Sequence, residues 1–506
     1  ICRHRHNLGG YLMSKKIKVI VPIVLVLIIL LGIAWGVYAF VTNTPKNAYL
    51  LSEKKTAKNV KSYVDHRFSN EKKFQKKLKD NSYVNTYDLH ANASKEYLKD
   101  LGLPKTILDS SKITGTIGHD PKSNKGIMSV SPKILDKDIG KFQWTANDST
   151  QFFDSPLFKK KYSVKNSELL ETAAQIFDED PSDYKEEGLS NANFDLNNKL
   201  GIVHSQQEDV EKLIKRYTDL VIDQLEDDDF EKGKKEKVKI DGETKNLKPI
   251  TLNISRDKAK KITVAALKKA KNDKELQRLS SINEKEYKKE IEEQLEDAQD
   301  KQTKEFPKIK STIYQQKHQI LKRNITITDS DGEKTTIKGT NVIDDNIEVD
   351  YKVTSDGNTH NIKGSSKKDG KHYKDDYKYS GDVDYERLNV HLNNKESVKD
   401  SKRKDTGTIT IDNAIDHYKV NYEDNLETDA KNNLQKQTLN IGFKLDEEPI
   451  NIVINANSKL KERIDFNTDN ATDFNSLSKK DKDKLSDEIK DKQKDIVKSV
   501  FKKLDD

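Results

Sequence analysis

The sequence is poor in several features that would point to a specific chemistry. Its 506 residues include one cysteine, Cys2, which excludes a disulfide framework and a cysteine-ligated metal site. Beyond the N-terminal part it has no long apolar run, which excludes a densely buried parallel α/β sheet. Its 92 basic and 85 acidic residues are interspersed and leave a net charge of +7. Because no basic stripe interleaved with aromatics is present, we expect no binding of nucleic acid.

Catalytic and cofactor motifs are also missing. The sequence has no GxSxG, no P-loop and no HExxH, so we expect no enzymatic activity and no cofactor. Residues 329–332 begin like a calcium loop but lack the glutamate at the twelfth position, which favours a hairpin turn. Four histidines of the last third lack metal-ligand spacing and are interpreted as surface residues of strands: His360, His372, His391 and His417. No catalytic, cofactor-binding or metal-binding residue is therefore assigned.

The composition that is present favours thin cores with large surfaces. Only 33% of residues are hydrophobic while 35% are charged, and the mean hydropathy is −0.90. A chain of 506 residues has room for two or three domains. A sheet with one dry and one wet face fits this balance better than a fold buried on both faces.

Near the N-terminus, residues 19–41 contain no charged side chain and predict a transmembrane helix. Lys15, Lys16 and Lys18 precede this segment, and positive charge stays on the cytoplasmic side. The pattern predicts a single-pass protein at the cytoplasmic membrane, with an extracytoplasmic C-terminal domain, in a Gram-positive bacterium. The apolar core is longer than that of a usual signal peptide, which favours a retained signal-anchor over a cleaved one.

The residues before the segment have their own interpretation. Met13 is followed by Ser14, Lys15 and Lys16, a basic start typical of an exported protein. We therefore expect residues 1–12 to be leader sequence outside the working protein, and residues 13–42 to form the basic N-terminus with its signal-anchor.

The remaining chain divides by pattern into three parts. Residues 43–82 show helical spacing and predict a helical stalk, which either lifts the following domain off the bilayer or packs back onto it. Residues 83–305 mix strands and helices, with a hairpin predicted between residues 113 and 130. Residues 306–506 predict an antiparallel meander closed by a C-terminal helix from Ser478. Both latter regions place strands before an amphipathic helix, but no residue-level repeat supports a duplication.

Two patterns define the fold class. In the meander, apolar residues alternate with polar ones, as at residues 347–353, 439–445 and 450–454, which predicts strands with one dry face. Ser205 with Glu208 forms a capping box, and an apolar helical stripe follows from Val210 to Leu225. We therefore predict an α+β fold: an N-terminal transmembrane helix, then large one-sided antiparallel sheets covered by amphipathic helices.

Two short segments, residues 44–49 (TPKNAY) and 53–57 (EKKTA), carry a resemblance to a known group. Together with the layout of the chain, they resemble signal-anchored Firmicutes proteins of uncharacterised function. The one-sided sheet wrapped over helices is also similar in layout to the LolA and LppX type of envelope lipid carriers. That resemblance implies a space between sheet and helices that holds acyl chains.

The sequence leaves two functions open. The first is a hydrophobic-ligand or lipid-binding module of the cell envelope, whose signature is an apolar cavity between sheet and helices. The second is a structural or interaction protein of the cell surface that binds a protein or wall polymer. Tyrosines of common strand parity fit either polymer stacking or cross-strand packing: Tyr373, Tyr377, Tyr379 and Tyr385. Besides these partners, the membrane itself is expected to bind residues 19–41.

Overall fold

The computed structural model describes residues 44–505, apart from 104–105, 178, 187–188, 190, 202–206, 241, 281–283, 384–385, 446 and 465–467. Its helices are α1 Pro45–Arg67, α2 Ser69–Leu78, α3 Lys95–Asp100, α4 Leu169–Phe177, α5 Pro181–Glu186, α6 Leu196–Gly201, α7 Gln207–Asp223, α8 Arg256–Ala270, α9 Lys274–Ser280, α10 Glu284–Asp300 and α11 Lys479–Asp505.

The strands fall into an early and a late group. The early strands are β1 Tyr83–Ala93, β2 Lys112–Asp120, β3 Lys125–Ile134, β4 Lys137–Asp138, β5 Phe142–Ala146, β6 Thr150–Asp154, β7 Tyr162–Lys165, β8 Phe230–Lys232, β9 Glu236–Ile240 and β10 Glu243–Ile254. The late strands are β11 Lys308–Gln316, β12 Gln319–Thr328, β13 Lys334–Ile343, β14 Ile347–Ser355, β15 Asn358–Asp369, β16 His372–Val383, β17 Glu386–Lys399, β18 Lys402–Asp412, β19 His417–Asp429, β20 Leu434–Leu445, β21 Glu448–Leu460 and β22 Thr472–Asp473.

These strands form one continuous sheet of 22 strands. β8 and β9 pair with β10, and the chain then runs as a meander in which each strand pairs with the next, from β10 to β21. β21 pairs with β1, and the sheet continues through β2, β3, β5, β6 and β7 to β22. Strands of both predicted regions, 83–305 and 306–506, therefore lie in the same sheet.

Local sequence signals explain where several elements begin and turn. The Thr44 side chain accepts a hydrogen bond from the Asn47 amide at 3.2 Å, and Pro45 begins α1. Ser255 caps α8 in the same way. Asp356 and Gly357 have φ values of 51° and 78°, which the tight turn between β14 and β15 requires. The predicted hairpin between residues 113 and 130 is confirmed as β2 and β3.

Helices gather at the two ends of the sheet. At the β10 end, α1, α7, α8 and α10 pack on one face and build the main core, which includes Leu50, Val221, Ile262, Ile250 and Ile313. At the other end, α4, α6 and α11 lie over β3, β5, β6 and β7. Burial of these apolar side chains is the main favourable term for the packing of both helix groups.

Helices α1 and α2 connect the two ends by crossing the strands on the same face. Tyr49 donates or accepts a 2.7 Å hydrogen bond with Ser311 of β11, and Arg323 of β12 binds both carboxylate oxygens of Glu53 at 2.6 and 2.5 Å. Further along, Arg67 reaches β16 and β17, and Lys77 donates to Asn433 near β20 at 2.9 Å. The helical spacing predicted for residues 43–82 is thus observed, and these helices pack onto the sheet.

The predicted α+β layout with a transmembrane helix and a covered sheet is wrong in two respects. First, none of the described helices is long and apolar enough to cross a membrane, and residues 19–41 lie outside the described chain. The described residues therefore give no support to the predicted signal-anchor, or to the single-pass topology, the cytoplasmic-membrane location and the extracytoplasmic domain that were predicted from it. Second, helices cover only part of the apolar face of the sheet. They pack on its two ends, and between the ends only α1 and α2 cross the strands.

Candidate functional site: an apolar cavity between sheet and helices

The strand wall of the cavity is built by side chains of one sheet face. Met128 of β3 lies opposite Trp144 of β5, which lies opposite Phe153 of β6, and Phe153 lies opposite Tyr162 of β7. Val130 and Phe142 form the next pair on the same face. Because side chains alternate across a strand, residues two apart face the same side. The short strands therefore present an aromatic wall.

Two helices and two short segments close the other side. α4 contributes Leu169, Ala173 and Ile176, and α11 contributes Leu485 and Ile489. Each set recurs at helical spacing of three or four residues, which places it on one side of its helix. Phe194 and Phe474 complete the lining. Together with the strand wall they enclose a cavity of about 700 Å³.

The indole N–H of Trp144 is satisfied by a neighbour on the same face of the sheet. The Trp144 indole N–H donates to Gln151 Oε1 at 2.7 Å, and Gln151 in turn donates to Asn166 at 2.8 Å and to Asp195 at 3.0 Å. The Trp144 ring stacks on Phe153 with ring centres 5.8 Å apart. Burial raises the pKa of Asp195. The indole thus faces the cavity with carbon, and a hydrophobic occupant meets no unpaired donor from this ring.

Charged side chains lie around the edge of the cavity. The Lys160 ammonium is 5.7 Å from the ring centre of Tyr162, and the Lys482 ammonium is 5.0 Å from that of Phe474. Lys159 pairs with Glu488 at 2.8 Å. Burial and the carboxylates of Glu488 and Asp481 raise the pKa of Tyr162. The site therefore combines an apolar interior with a charged edge.

Two lining residues mark where the cavity is open to solvent. Ile176 of α4 is 61% exposed and Val130 of β3 is 41% exposed, although both side chains are aliphatic. The remaining apolar lining on α4 and α11 is more deeply buried, with Leu169 5% and Leu485 7% exposed. A ligand entering beside Ile176 or Val130 would cover these side chains.

Sequence reasoning identified the elements of this site but not the site itself. The strands with Phe142, Trp144 and Phe153 and the helix α4 fall in the region predicted to mix strands and helices, residues 83–305, but the sequence did not locate the cavity there. The predicted C-terminal helix is present as α11, which holds Leu485 and Ile489. The available signal was the concentration of aromatics in short strands, but the meeting of residues 142–177 with residues 474–489 has no local signature.

The structure gives positions for most of the histidines and tyrosines singled out in the sequence. Within the described residues, no group of three or more His, Cys, Asp or Glu could hold a metal. His360 bonds Tyr379 at 2.9 Å, and His391 lies 3.3 Å from Asp376. Tyr373 is 5% exposed and lies beneath Arg67, so it packs rather than binds a polymer. Tyr385 lies outside the described residues.

A second concavity, of about 900 Å³, lies on the opposite face beneath the β9–β10 hairpin. It is polar, since its lining includes Lys338, Lys352 and Lys378 together with Glu348 and Asp350. Such a surface favours water over a hydrophobic ligand. The two concavities therefore differ in the chemistry they can accept, and the 700 Å³ cavity is the candidate for an apolar ligand.

Comparison with known proteins gives no family. No family model matches the sequence, and no curated protein matches it. Among solved structures, similarity is found to OccK5 (OpdH) of Pseudomonas aeruginosa, with 8% identity and a TM-score of 0.24 over 75% of this chain and 98% of that chain. OpdL of the same organism has 6% identity and a TM-score of 0.24 over 75% and 97%. A loop-deletion mutant of OmpT, an outer membrane protein of Vibrio cholerae, has 8% identity and a TM-score of 0.19 over 74% and 98%.

These likenesses carry no argument about fold or function, because their TM-scores are low. None of the three is a signal-anchored protein of a Gram-positive bacterium, so the predicted Gram-positive, single-pass description has no counterpart among them. We do not retain that description.

Proposed function

We propose that this protein binds a hydrophobic ligand, a lipid or fatty acid, with its acyl chain in the 700 Å³ cavity between β3, β5, β6, β7 and the helices α4 and α11. The observation that supports the proposal is the chemistry of the lining. Aliphatic and aromatic side chains dominate it, and the Trp144 N–H already has a partner. Cavities of roughly 300–1,000 Å³ are typical of sites for small molecules.

The charged edge supports an amphiphilic rather than a purely apolar ligand. Lys160 and Lys482 lie over aromatic rings of the lining, where their ammonium groups can meet a carboxylate or phosphate headgroup. An acyl chain would gain about 25 cal/mol per Å² of surface removed from water. The headgroup would then fix the orientation of the chain in the cavity.

Binding of the fluorescent fatty acid cis-parinaric acid by the full chain tests the proposal. Ile489→Asp places a charge in the lining, while Ser486→Asp places the same charge on the exposed side of the same helix. We expect Ile489→Asp to raise the Kd at least about tenfold, because a buried carboxylate without a partner is costly. Ser486→Asp should bind as the parent protein does.

Ala173→Trp provides a second test by volume, since Ala173 lines the cavity and an indole would occupy it. It should reduce binding without adding charge. Thermal unfolding of each variant establishes that it is folded. Absence of binding by the parent protein, or equal binding by all three variants, would contradict the proposal.

A further inference from the structure

An apolar surface extends from the cavity along the sheet, on the face that carries the cavity lining. Across five successive strands, β17 to β21, the side chains that lie opposite one another are Leu392, Ile409, Val420, Phe443 and Ile450. Opposed side chains in an antiparallel sheet have Cβ atoms about 5 Å apart. These five residues therefore form an unbroken apolar row across the strands.

The row continues to the cavity by the same register. On β21, Ile454 lies four residues from Ile450 on the same face, and it is opposite Leu89 of β1, which is opposite Ile113 of β2. Two residues after Ile113 on β2, Gly115 pairs with Val130 of β3, and Val130 pairs with Phe142 of β5. Val130 lines the cavity. We call the five residues of the row, with Ile454, Leu89 and Ile113, the apolar band.

The apolar band is accessible, and only this face of the strands is apolar. Leu392, Ile409, Val420, Phe443 and Ile450 are half-buried, and Ile113 is 45% exposed. A neighbouring residue on each of these strands faces the other side, and none of these residues is aliphatic: Asn393, Thr408, Asn421, Gly442 and Asn451. A sheet that left both faces to water would have no reason to keep one of them aliphatic.

The dimensions of the band favour a chain-like occupant over a folded partner. Seven strand spacings separate β17 from β3, which at about 4.8 Å each give a length of about 34 Å. With a width of roughly 10 Å, from two or three side chains per strand, the band offers roughly 350 Å². A stable protein interface needs about 800 Å² per partner. An acyl chain is long, narrow and free of hydrogen-bonding groups, so it can be covered by such a band.

We propose that the apolar band is a track for acyl chains that continues from the cavity, so that the protein holds lipid chains both inside the cavity and along the sheet. This inference rests on the proposed function, because it takes its ligand class from the cavity and its continuity from Val130. Lipid chains bound on the track lie across the strands, beside α1 and α2, and enter the cavity over the side chains of Val130 and Phe142.

Photolabelling with palmitic acid that carries a diazirine in its chain tests the track. The full-length protein is irradiated with the probe, digested, and labelled peptides are mapped by mass spectrometry. Ile441 lies on the track face between Tyr422 and Ile452, while its neighbour Asn440 faces the other side. Ile441→Asp and Asn440→Asp thus introduce the same residue at adjacent positions on opposite faces.

In the parent protein and in Asn440→Asp we expect label on β3 and β5 to β7 and also on β17 to β21. Ile441→Asp should lower the label on β19 to β21 at least about tenfold and leave the cavity label in place. Ile409→Ser is a milder change on the same face and should also lower the label on β19 to β21, by less than Ile441→Asp does. Thermal unfolding confirms that each variant is folded.

Label confined to the cavity strands of the parent protein would overturn the track while leaving the proposed function standing. Label on β19 to β21 that is unchanged in both Ile441→Asp and Ile409→Ser would also overturn the track. Label at neither place would defeat the track and the proposed function together. Self-association of the protein that Ile441→Asp abolishes, with β17 to β21 unlabelled, would assign the apolar band to a second copy of the chain and overturn the track.

Discussion

Arg67 is held between two carboxylates in the interface of α1 with the sheet. Its Nη2 atom lies 2.7 Å from Asp375 Oδ2 and 2.6 Å from Glu396 Oε2, and all three side chains are at most 9% exposed. Burial acts to raise the pKa of Asp375, but hydrogen bonds from Arg67, Ser366 and Asn394 outweigh it and lower the pKa. Glu396 also pairs with Arg403, so removing the Arg67 cation would leave the buried Asp375 carboxylate without a cationic partner.

Arg67→Met should lower the free energy of unfolding by roughly 3–5 kcal/mol, because the buried Asp375 carboxylate loses its cationic partner. Lys58→Met is the control, since Lys58 lies on the same helix and is exposed. Chemical denaturation of both variants measures the difference. A loss for Arg67→Met no larger than that for Lys58→Met would contradict the assigned role of Arg67.

Asp405 gives a pH-dependent prediction. Burial and the nearby Glu396 carboxylate raise the pKa of Asp405 to about 6, although a hydrogen bond from Asn394 opposes this. An acid whose pKa is raised by folding binds its proton more tightly in the folded protein. Its contribution to stability is therefore largest below pH 4 and is lost as the pH rises from about 4 to 6.

Asp405→Asn should accordingly be more stable than the parent protein at pH 8 by about 1 kcal/mol, and the advantage should shrink towards pH 4. Thermal unfolding across this pH range checks the expectation. Asp416→Asn, at an exposed turn position, should show no comparable trend. If the stability difference between Asp405→Asn and the parent protein stayed constant from pH 4 to pH 8, the raised pKa of Asp405 would be contradicted.

At the scale of elements, glycines let tyrosine rings lie flat on the sheet. A Cβ atom added to Gly407 would lie 2.4 Å from the Asn393 carbonyl oxygen and 2.6 Å from the Tyr422 hydroxyl. Gly407 lies opposite Tyr422 in the register. The ring of Tyr422 therefore lies over Gly407 of the neighbouring strand β18, on the face of the sheet that packs against α2.

Gly407→Ala should lower the free energy of unfolding by roughly 1–3 kcal/mol, since the added methyl group forces the ring or the backbone to move. Thr408→Ala, at the next position on the opposite face, should cost less than Gly407→Ala does. Denaturant unfolding compares the two. Equal losses would contradict a specific contribution of the close packing over Gly407 to the free energy of unfolding.

The sequence predicted element types better than their partners. The stripe of α7 is present, since Tyr217 and Val221 are buried, and Leu225 is buried just beyond the end of the helix at Asp223. Val210 is 39% exposed, and the predicted cap Ser205 lies outside the described residues. Alternation in β20 and β21 predicted which residues share a face. It could not predict that β21 pairs with β1, because residues some 370 positions apart leave no local pattern.

The polar contacts of α1 were equally hidden from sequence reasoning. Glu53 and Arg67 occur in a segment rich in Lys and Glu, where each charge resembles its neighbours. Their partners, Arg323 and Asp375, lie on strands far along the chain. Since charged residues are interspersed everywhere, only the folded register reveals which charges are buried.

At the scale of the whole molecule, one sheet carries helices at both ends and an apolar face between them. This arrangement unites the cavity and the apolar band on a single surface. The alternative of a cell-surface interaction protein stays a prediction. What distinguishes the two is whether that apolar surface takes up lipid.

Ligand removal should therefore weaken the fold. Protein stripped of bound lipid is expected to unfold at a lower temperature, and added palmitate should restore stability, by about 2.7 kcal/mol at a hundredfold excess over Kd. The Ile489→Asp variant should show a smaller palmitate effect. If palmitate shifted the unfolding of both proteins equally, the stabilisation would not come from the cavity.

The central claim, a lipid or fatty acid held in the cavity, is tested most directly by native mass spectrometry of gently purified full-length protein. The account predicts a species heavier than the polypeptide, whose added mass is released on denaturation as an acyl-bearing molecule and is diminished in Ile489→Asp but not in Ser486→Asp. A spectrum that shows only the polypeptide mass, before and after incubation with palmitate, would contradict it.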